Sequence, residues 1–334
     1  MQNAINSESN QMKEFELIQA IKDIADSKLN IIGDDTAVIN ETGTVLTCDT
    51  LVENTHFKLN THTPFELGYK AAAVNLSDIA ASGGICEYLL VSLAMPQYID
   101  IDFVREFYNG MIYLTEQFGV NIVGGDLTRC DVLVVTVTAT GKTKKKTGRK
   151  FAKIGQKIIT TGDYGASYTG LLLLQGSKNL QENDTIHNII SRHTKPWPRI
   201  HEAQYFLNNT DYQEYCMMDT SDGLADALYQ ISTKSEKRFN IYMDRIPIAP
   251  ELFDIHRILN VNSFQAALYG GEDFELIFTC NEEDLEVLYK NTDFQFTCIG
   301  DIIEGKCSIS LISENTVIEL DEYLLEEEAT FKHF

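Results

Sequence analysis

Five short acidic phrases in apolar or glycine-rich surroundings constrain this chain more than any other feature, because whatever it folds into must give those carboxylates partners. They are Gly33-Asp34-Asp35, Cys48-Asp49-Thr50-Leu51-Val52, Asn75-Leu76-Ser77-Asp78, Gly124-Gly125-Asp126 and Met218-Asp219-Thr220-Ser221-Asp222-Gly223. An ionised carboxylate held at the edge of a core costs several kcal/mol unless it is paired or bound to a metal. Any one of these aspartates reads equally well as a helix cap. As a set they read as a polymetal site. Carboxylate and hydroxyl oxygens favour a hard cation such as Mg2+, which binds a few protein carboxylates together with substrate phosphates. The set therefore points to phosphate chemistry.

Composition narrows the classes. A chain of 334 residues exceeds the size at which one core usually stops growing, so two domains are expected. The formal charge of −22 argues against nucleic acid or an anionic membrane as partner and favours bound cations. No apolar run approaches the ~20 residues that span a bilayer, and the polar start from Met1 to Gln11 has no signal-peptide core, so a cytoplasmic protein is expected. The seven cysteines, at 48, 86, 130, 216, 280, 298 and 307, form no Cys-x-x-Cys pair and are expected as reduced thiols, mostly in the core.

Periodicity gives an α+β pattern. After a start over residues 1–13 that reads as disordered, apolar spacing predicts an amphipathic helix over 14–27. Thr63-Pro64-Phe65-Glu66 reads as a capping box whose helix stops near Gly83-Gly84, with Leu67, Ala71, Val74 and Asp78 on one face. Asp78 thus points where apolar residues point and needs a partner. Strands are expected over 87–95, 120–123, 131–140, 157–161, 239–243, 274–279, 296–299 and 317–320, and helices over 103–117, through 171–174, from Ser221-Asp222-Gly223 through Ile231, and over 283–289. The basic run from Lys142 to Lys153 reads mainly as a solvated hairpin face, with one or two members reaching phosphate, and marks residue 150 as the division between domains 14–150 and 151–334.

No Gly-x-x-x-x-Gly-Lys-Ser/Thr loop, dinucleotide turn or Gly-x-Ser-x-Gly elbow is present. If nucleotide binds, metal held by the acidic phrases must do the work of a phosphate loop and its lysine. Gly33, Gly83-Gly84, Gly124-Gly125 and Gly270-Gly271 would let backbone amides approach phosphate, though turn formation explains glycine pairs as well.

In their order along the chain, these phrases, with Asp49-Thr50-Leu51-Val52-Glu53 running to His56-Phe57 and with Gly271-Glu272-Asp273-Phe274-Glu275-Leu276, resemble the thiamine-monophosphate kinase family. That family shares a superfamily with aminoimidazole ribonucleotide synthetase and selenophosphate synthetase. The resemblance implies a two-domain aminoimidazole ribonucleotide synthetase-like α+β fold, mixed sheets with flanking helices, and a homodimer paired through its N-terminal domains. It implies transfer of the ATP γ-phosphoryl group to thiamine monophosphate, with several Mg2+ ions. Carried over by position, Asp35, Thr47, Asp49, Asp78, Asp126, Asp219 and Asp222 match metal ligands, Cys48 adding its backbone carbonyl, and Asp222 is the residue on which metal-assisted catalysis is expected to rest. Tyr108, Gly125, Asp126 and Ser221 match nucleotide contacts, and Lys153 stands where an arginine is expected after the basic hairpin. His56, Glu272 and Phe331 match the thiamine side, the aromatic as a π face for a cationic ring. Asn54 and Leu127 depart from the usual Gly and Thr. The competing readings are a sister phosphotransferase acting on another small substrate and a non-catalytic Mg2+ or nucleotide-binding module. No Asp-x-Asp-x-Asp-Gly calcium loop is present.

Overall fold

The structure is a computed structural model that describes residues 14–25, 32–176, 183–314 and 316–320. Its helices are α1 (Glu14–Ala25), α2 (Pro64–Ala81), α3 (Ile101–Thr115), α4 (Ala166–Leu174), α5 (Asp184–Thr194), α6 (Ile200–Asn209), α7 (Leu224–Ser235), α8 (Pro250–Leu259), α9 (Ser263–Tyr269) and α10 (Leu285–Lys290). A five-stranded sheet runs in the order β1 (Ala37–Ile39), β2 (Thr44–Val52), β5 (Val134–Lys142), β3 (Ile85–Met95), β4 (Asn121–Arg129). All its pairs are antiparallel except β3–β4. A seven-stranded sheet runs β12 (Thr316–Leu320), β11 (Ser308–Ser313), β8 (Arg238–Tyr242), β10 (Phe296–Ile303), β6 (Lys157–Thr161), β9 (Leu276–Cys280), β7 (Met217–Asp219), with β8–β11 its parallel pair.

The central element is α2. Thr63 opens it: its hydroxyl accepts from the Glu66 N–H at 3.2 Å while the Glu66 carboxylate accepts from the Thr63 N–H at 3.0 Å. Its alanines and Leu67, Leu76 and Ile79 are buried almost all round, because it packs on β2 and β5 and also against α3, α5, α6 and β7. Contact with α3 is made at glycines: a Cβ at Gly68 would lie 1.8 Å from the Phe107 carbonyl, and one at Gly110 would lie 1.9 Å from the Phe65 carbonyl. Beneath α2, β5 alternates Val135, Val137 and Ala139 inward with half-buried threonines outward. One continuous core joins these residues to Phe206, Tyr215, Met217 and Phe278, so both sheets pack through α2. A second core lies between α7 and the other face of the seven-stranded sheet.

Several expectations need correction. Gly124-Gly125-Asp126 lies inside edge strand β4, which runs on to Arg129, and not in a turn after it. A side chain at Gly125 would sit 1.7 Å from the Val91 carbonyl, so close strand pairing requires that glycine. Helices α5, α6, α8 and α9 and strands β7 and β11 were not anticipated. All seven cysteines are free, but Cys48, Cys130 and Cys307 are exposed and not in the core. Residues 1–13 and Phe331 lie outside the described residues.

Candidate functional site

The acidic phrases converge beside α2. Strand β2 directs Val45, Thr47, Asp49 and Leu51 toward the helix and Leu46, Cys48 and Thr50 away from it. The Thr47 hydroxyl donates to Asp78 Oδ2 at 2.5 Å, and the Asp49 backbone N–H donates to Asn75 Oδ1 at 3.3 Å. One residue before Asp78, the Ser77 hydroxyl reaches across 142 positions of sequence to Asp219 Oδ2 at 2.7 Å, at the end of β7. Asp35 arrives from the loop before β1. Carboxylate oxygens of Asp35, Asp78 and Asp219 lie within 4.8 Å of one another.

Their electrostatics follow from burial and like charge. Asp78 is raised well above the ordinary carboxylate range by burial and by Asp49, Asp219 and Asp35, which outweigh the Thr47 hydrogen bond. Asp219 is pushed up to about 8, first by burial and then by Asp35, against the Ser77 hydroxyl and the charge of Arg149. Burial also raises Asp35, although Arg149 Nη2 lies 2.7 Å from its Oδ1. Among the described residues, this is the ion pair that meets the triad. One guanidinium does not neutralise three carboxylates. The donor set is oxygen alone, and it fits a hard divalent cation better than a protonated resting state.

Arg149 is the residue that sequence reasoning missed. It sits in the basic run, but its side chain is 15% exposed and turned inward, its N–H donates to Asp34 Oδ1 at 3.1 Å, and its guanidinium also meets Gln230 of α7. Lys153 is exposed, with its backbone N–H on Gln156, so it is Arg149 of that run that reaches the carboxylates. The preceding Gly148 lies against the acidic loop, where a Cβ would come 3.1 Å from Asp34 Oδ2.

The remaining residues occupy different surroundings. Asp222 is exposed on the turn into α7, and Asp126 and Gly125 are exposed on β4. The Cys48 thiol faces away from the triad, accepting from Thr138 Oγ1 at 3.4 Å, so only its backbone faces the cluster's strand edge. Tyr108 is half-buried on α3, edge-on to Phe107. Phrases 219–223 and 271–276 are zipped together: Asp219 pairs with Leu276, the Thr220 N–H donates to the Glu275 carbonyl at 2.9 Å, and the Glu272 N–H donates to the Ser221 carbonyl at 2.6 Å. Glu272 adopts φ +66°, unusual for a residue with a Cβ. His56 Nδ1 accepts from the Val52 N–H at 3.0 Å, and its ring lines a small cavity with Lys58, His62, Leu171, Gln175 and His193. His193 in turn lies 3.3 Å from Glu272, so His56 and Glu272 are joined through that cavity's wall.

Known proteins match this arrangement. Residues 33–143 match the family model of the AIR synthase related protein, N-terminal domain. The thiamine-monophosphate kinase of Bacillus subtilis (strain 168) is 38% identical over 83% of this chain and 86% of its own length. That of Aquifex aeolicus (strain VF5) is 32% identical over 89% of this chain and 93% of its own. The solved structure of AaThiL complexed with AMPPCP and TMP superposes with a TM-score of 0.81 at 30% identity, covering 92% of this chain and 96% of that one. Similarity of that extent, spanning most of both the chain and its relatives, shows that the chain belongs to the thiamine-monophosphate kinase family.

Proposed function

We propose that this chain transfers the γ-phosphoryl group of ATP to thiamine monophosphate, giving thiamine diphosphate and ADP. The observation that carries the reading is the meeting of Asp35, Asp78 and Asp219 with Thr47 and Arg149 where the two sheets pack against α2. The names of the relatives point to the same reaction. The attacking atom is a phosphate oxygen, already ionised near neutral pH, so no general base is required. The obstacle is repulsion between two polyanions. Mg2+ bound by the aspartates would supply charge neutralisation and in-line alignment.

The protein's own groups set that geometry. Asp35, Thr47, Asp49, Asp78, Asp126, Asp219 and Asp222, with the Cys48 carbonyl, are assigned to the cations. Gly125, Asp126, Ser221 and Tyr108 are assigned to ATP, and Arg149 takes the phosphate contact first expected of Lys153, since its planar fork suits phosphate oxygens. His56, Glu272 and Phe331 are assigned to the thiamine ring system. The nucleotide-binding half comprises residues 14–150 and the second half 151–334. A homodimer in the cytoplasm completes the reading. Support for the dimer is an apolar face on the five-stranded sheet, where Leu46, Ile85, Tyr88 and Leu90 are exposed on the side away from α2.

The test offers ATP and Mg2+ with thiamine monophosphate, thiamine or an aminoimidazole ribonucleotide precursor as separate acceptors, and identifies products by mass. Thiamine diphosphate is expected from the monophosphate alone. Product from free thiamine or from the purine precursor instead would overturn the assignment.

A further inference from the structure

Lys70 lies on α2 with no exposed surface, and its Nζ is 2.8 Å from Glu272 Oε1. The ammonium is off the hydrogen-bonding direction of that oxygen, so charge, and not an aligned bond, holds the contact. The second oxygen, Oε2, is 3.3 Å from His193 Nδ1, which also lies 3.1 Å from the Ser167 hydroxyl. His193 and His62 pack edge to face at 5.3 Å. Burial and the Lys70 charge hold both imidazoles neutral, His62 down to about 3 and His193 well below its ordinary value. The local balance is therefore one ammonium, one carboxylate and two uncharged rings.

A purely structural role explains this poorly. Replacing a buried ion pair with apolar groups is often neutral or stabilising, and structural polar networks satisfy all their members. Here Lys70 Nζ, Glu272 Oε2, His62 Nε2 and His193 Nε2 are all buried without a hydrogen-bond partner among the described residues. His62 and His193 line the cavity beside His56, and Glu272, held on a left-handed backbone, reaches it through its 3.3 Å contact with His193. Orphaned polar atoms beside a cavity, on a strained residue, are the signature of a site awaiting a ligand's polar groups.

We propose that Lys70 is a positioning residue for the phosphoryl acceptor: its ammonium fixes Oε1 of Glu272, so that Oε2 is left to accept an N–H from an amino-substituted heteroaromatic ring. This rests on the thiamine monophosphate reading above. Without the ammonium, Oε1 loses its 2.8 Å contact and the carboxylate is free to turn Oε2 away from the ring.

The experiment compares wild type, Lys70→Met, Glu272→Gln and the double variant, measuring KM for thiamine monophosphate and for ATP separately. Lys70→Met is expected to raise the acceptor KM at least tenfold with the ATP KM within twofold. The double variant removes both charges, so it folds even where Lys70→Met does not, and its acceptor KM should equal that of Glu272→Gln alone. An acceptor KM unchanged in Lys70→Met, equal losses for both substrates, or a double variant a further tenfold weaker than Glu272→Gln overturns the role of Lys70. Wild-type protein that forms no thiamine diphosphate overturns the underlying reading, and this inference with it.

Discussion

Asp219 is buried with two other carboxylates close by, offset by the Ser77 hydroxyl and the charge of Arg149. Replacing it with the isosteric neutral amide relieves like-charge repulsion in metal-free protein while removing a proposed cation ligand. Asp219→Asn should therefore raise the melting temperature without divalent ions by a few °C, while turnover falls by about 10²–10³-fold, the scale for losing one preorganised electrostatic partner. Calorimetry paired with steady-state kinetics checks both, and a variant that loses stability and keeps turnover would remove Asp219 from the site. The buried histidines give a pH prediction of definite sign. His62 titrates near 6.5 when unfolded and at about 3 when folded, so between these values the unfolded chain binds the extra proton. Stability is present above pH ~6.5 and is lost as pH falls toward 3, with a slope of up to ~1.4 kcal/mol per pH unit from this group. Denaturant titrations of wild type and His62→Gln across that range should show a shallower acid slope in the variant. Residue by residue, the acidic phrases were legible because a carboxylate among apolar neighbours violates a simple rule. Arg149 was not, because a cation inside a lysine-rich run looks solvated until the fold brings Asp34 and Asp35 against it.

The pairing of α2 with α3 places two glycines where the helices touch. Alanine normally favours a helix interior over glycine by about 1 kcal/mol. At Gly110 the sign should reverse, because the added methyl would meet the Phe65 carbonyl at 1.9 Å and force the helices apart. Gly110→Ala is expected to cost more than ~3 kcal/mol in urea unfolding; a neutral or stabilising result would mean the helices can slide without penalty. At the start of α2, Thr63→Ala should cost about 1 kcal/mol by removing one half of the capping box. Elements with strong local signals were readable in advance: the capped start of α2, the alternating β5 and the turn into α7. Helices α5, α6, α8 and α9 were not anticipated, each being short. Their helicity comes from packing in the tertiary structure, which local propensity does not report.

On the scale of the molecule, the exposed apolar face of the five-stranded sheet predicts association. Light scattering should give a dimer for wild type, and a charge at Leu90, which is 46% exposed on β3, should shift Leu90→Asp to monomer with its melting curve little changed. A monomeric wild type would sink that expectation. The near-complete burial of α2 also bears on how the chain is made. The five-stranded sheet is complete once Lys142 has been synthesised, but the helix that covers it still lacks α6 and β7, which lie beyond residue 200. At about 5–20 residues per second, the ribosome leaves that apolar surface bare for seconds. That surface is covered only when the distant serine-to-aspartate contact between α2 and β7 can close.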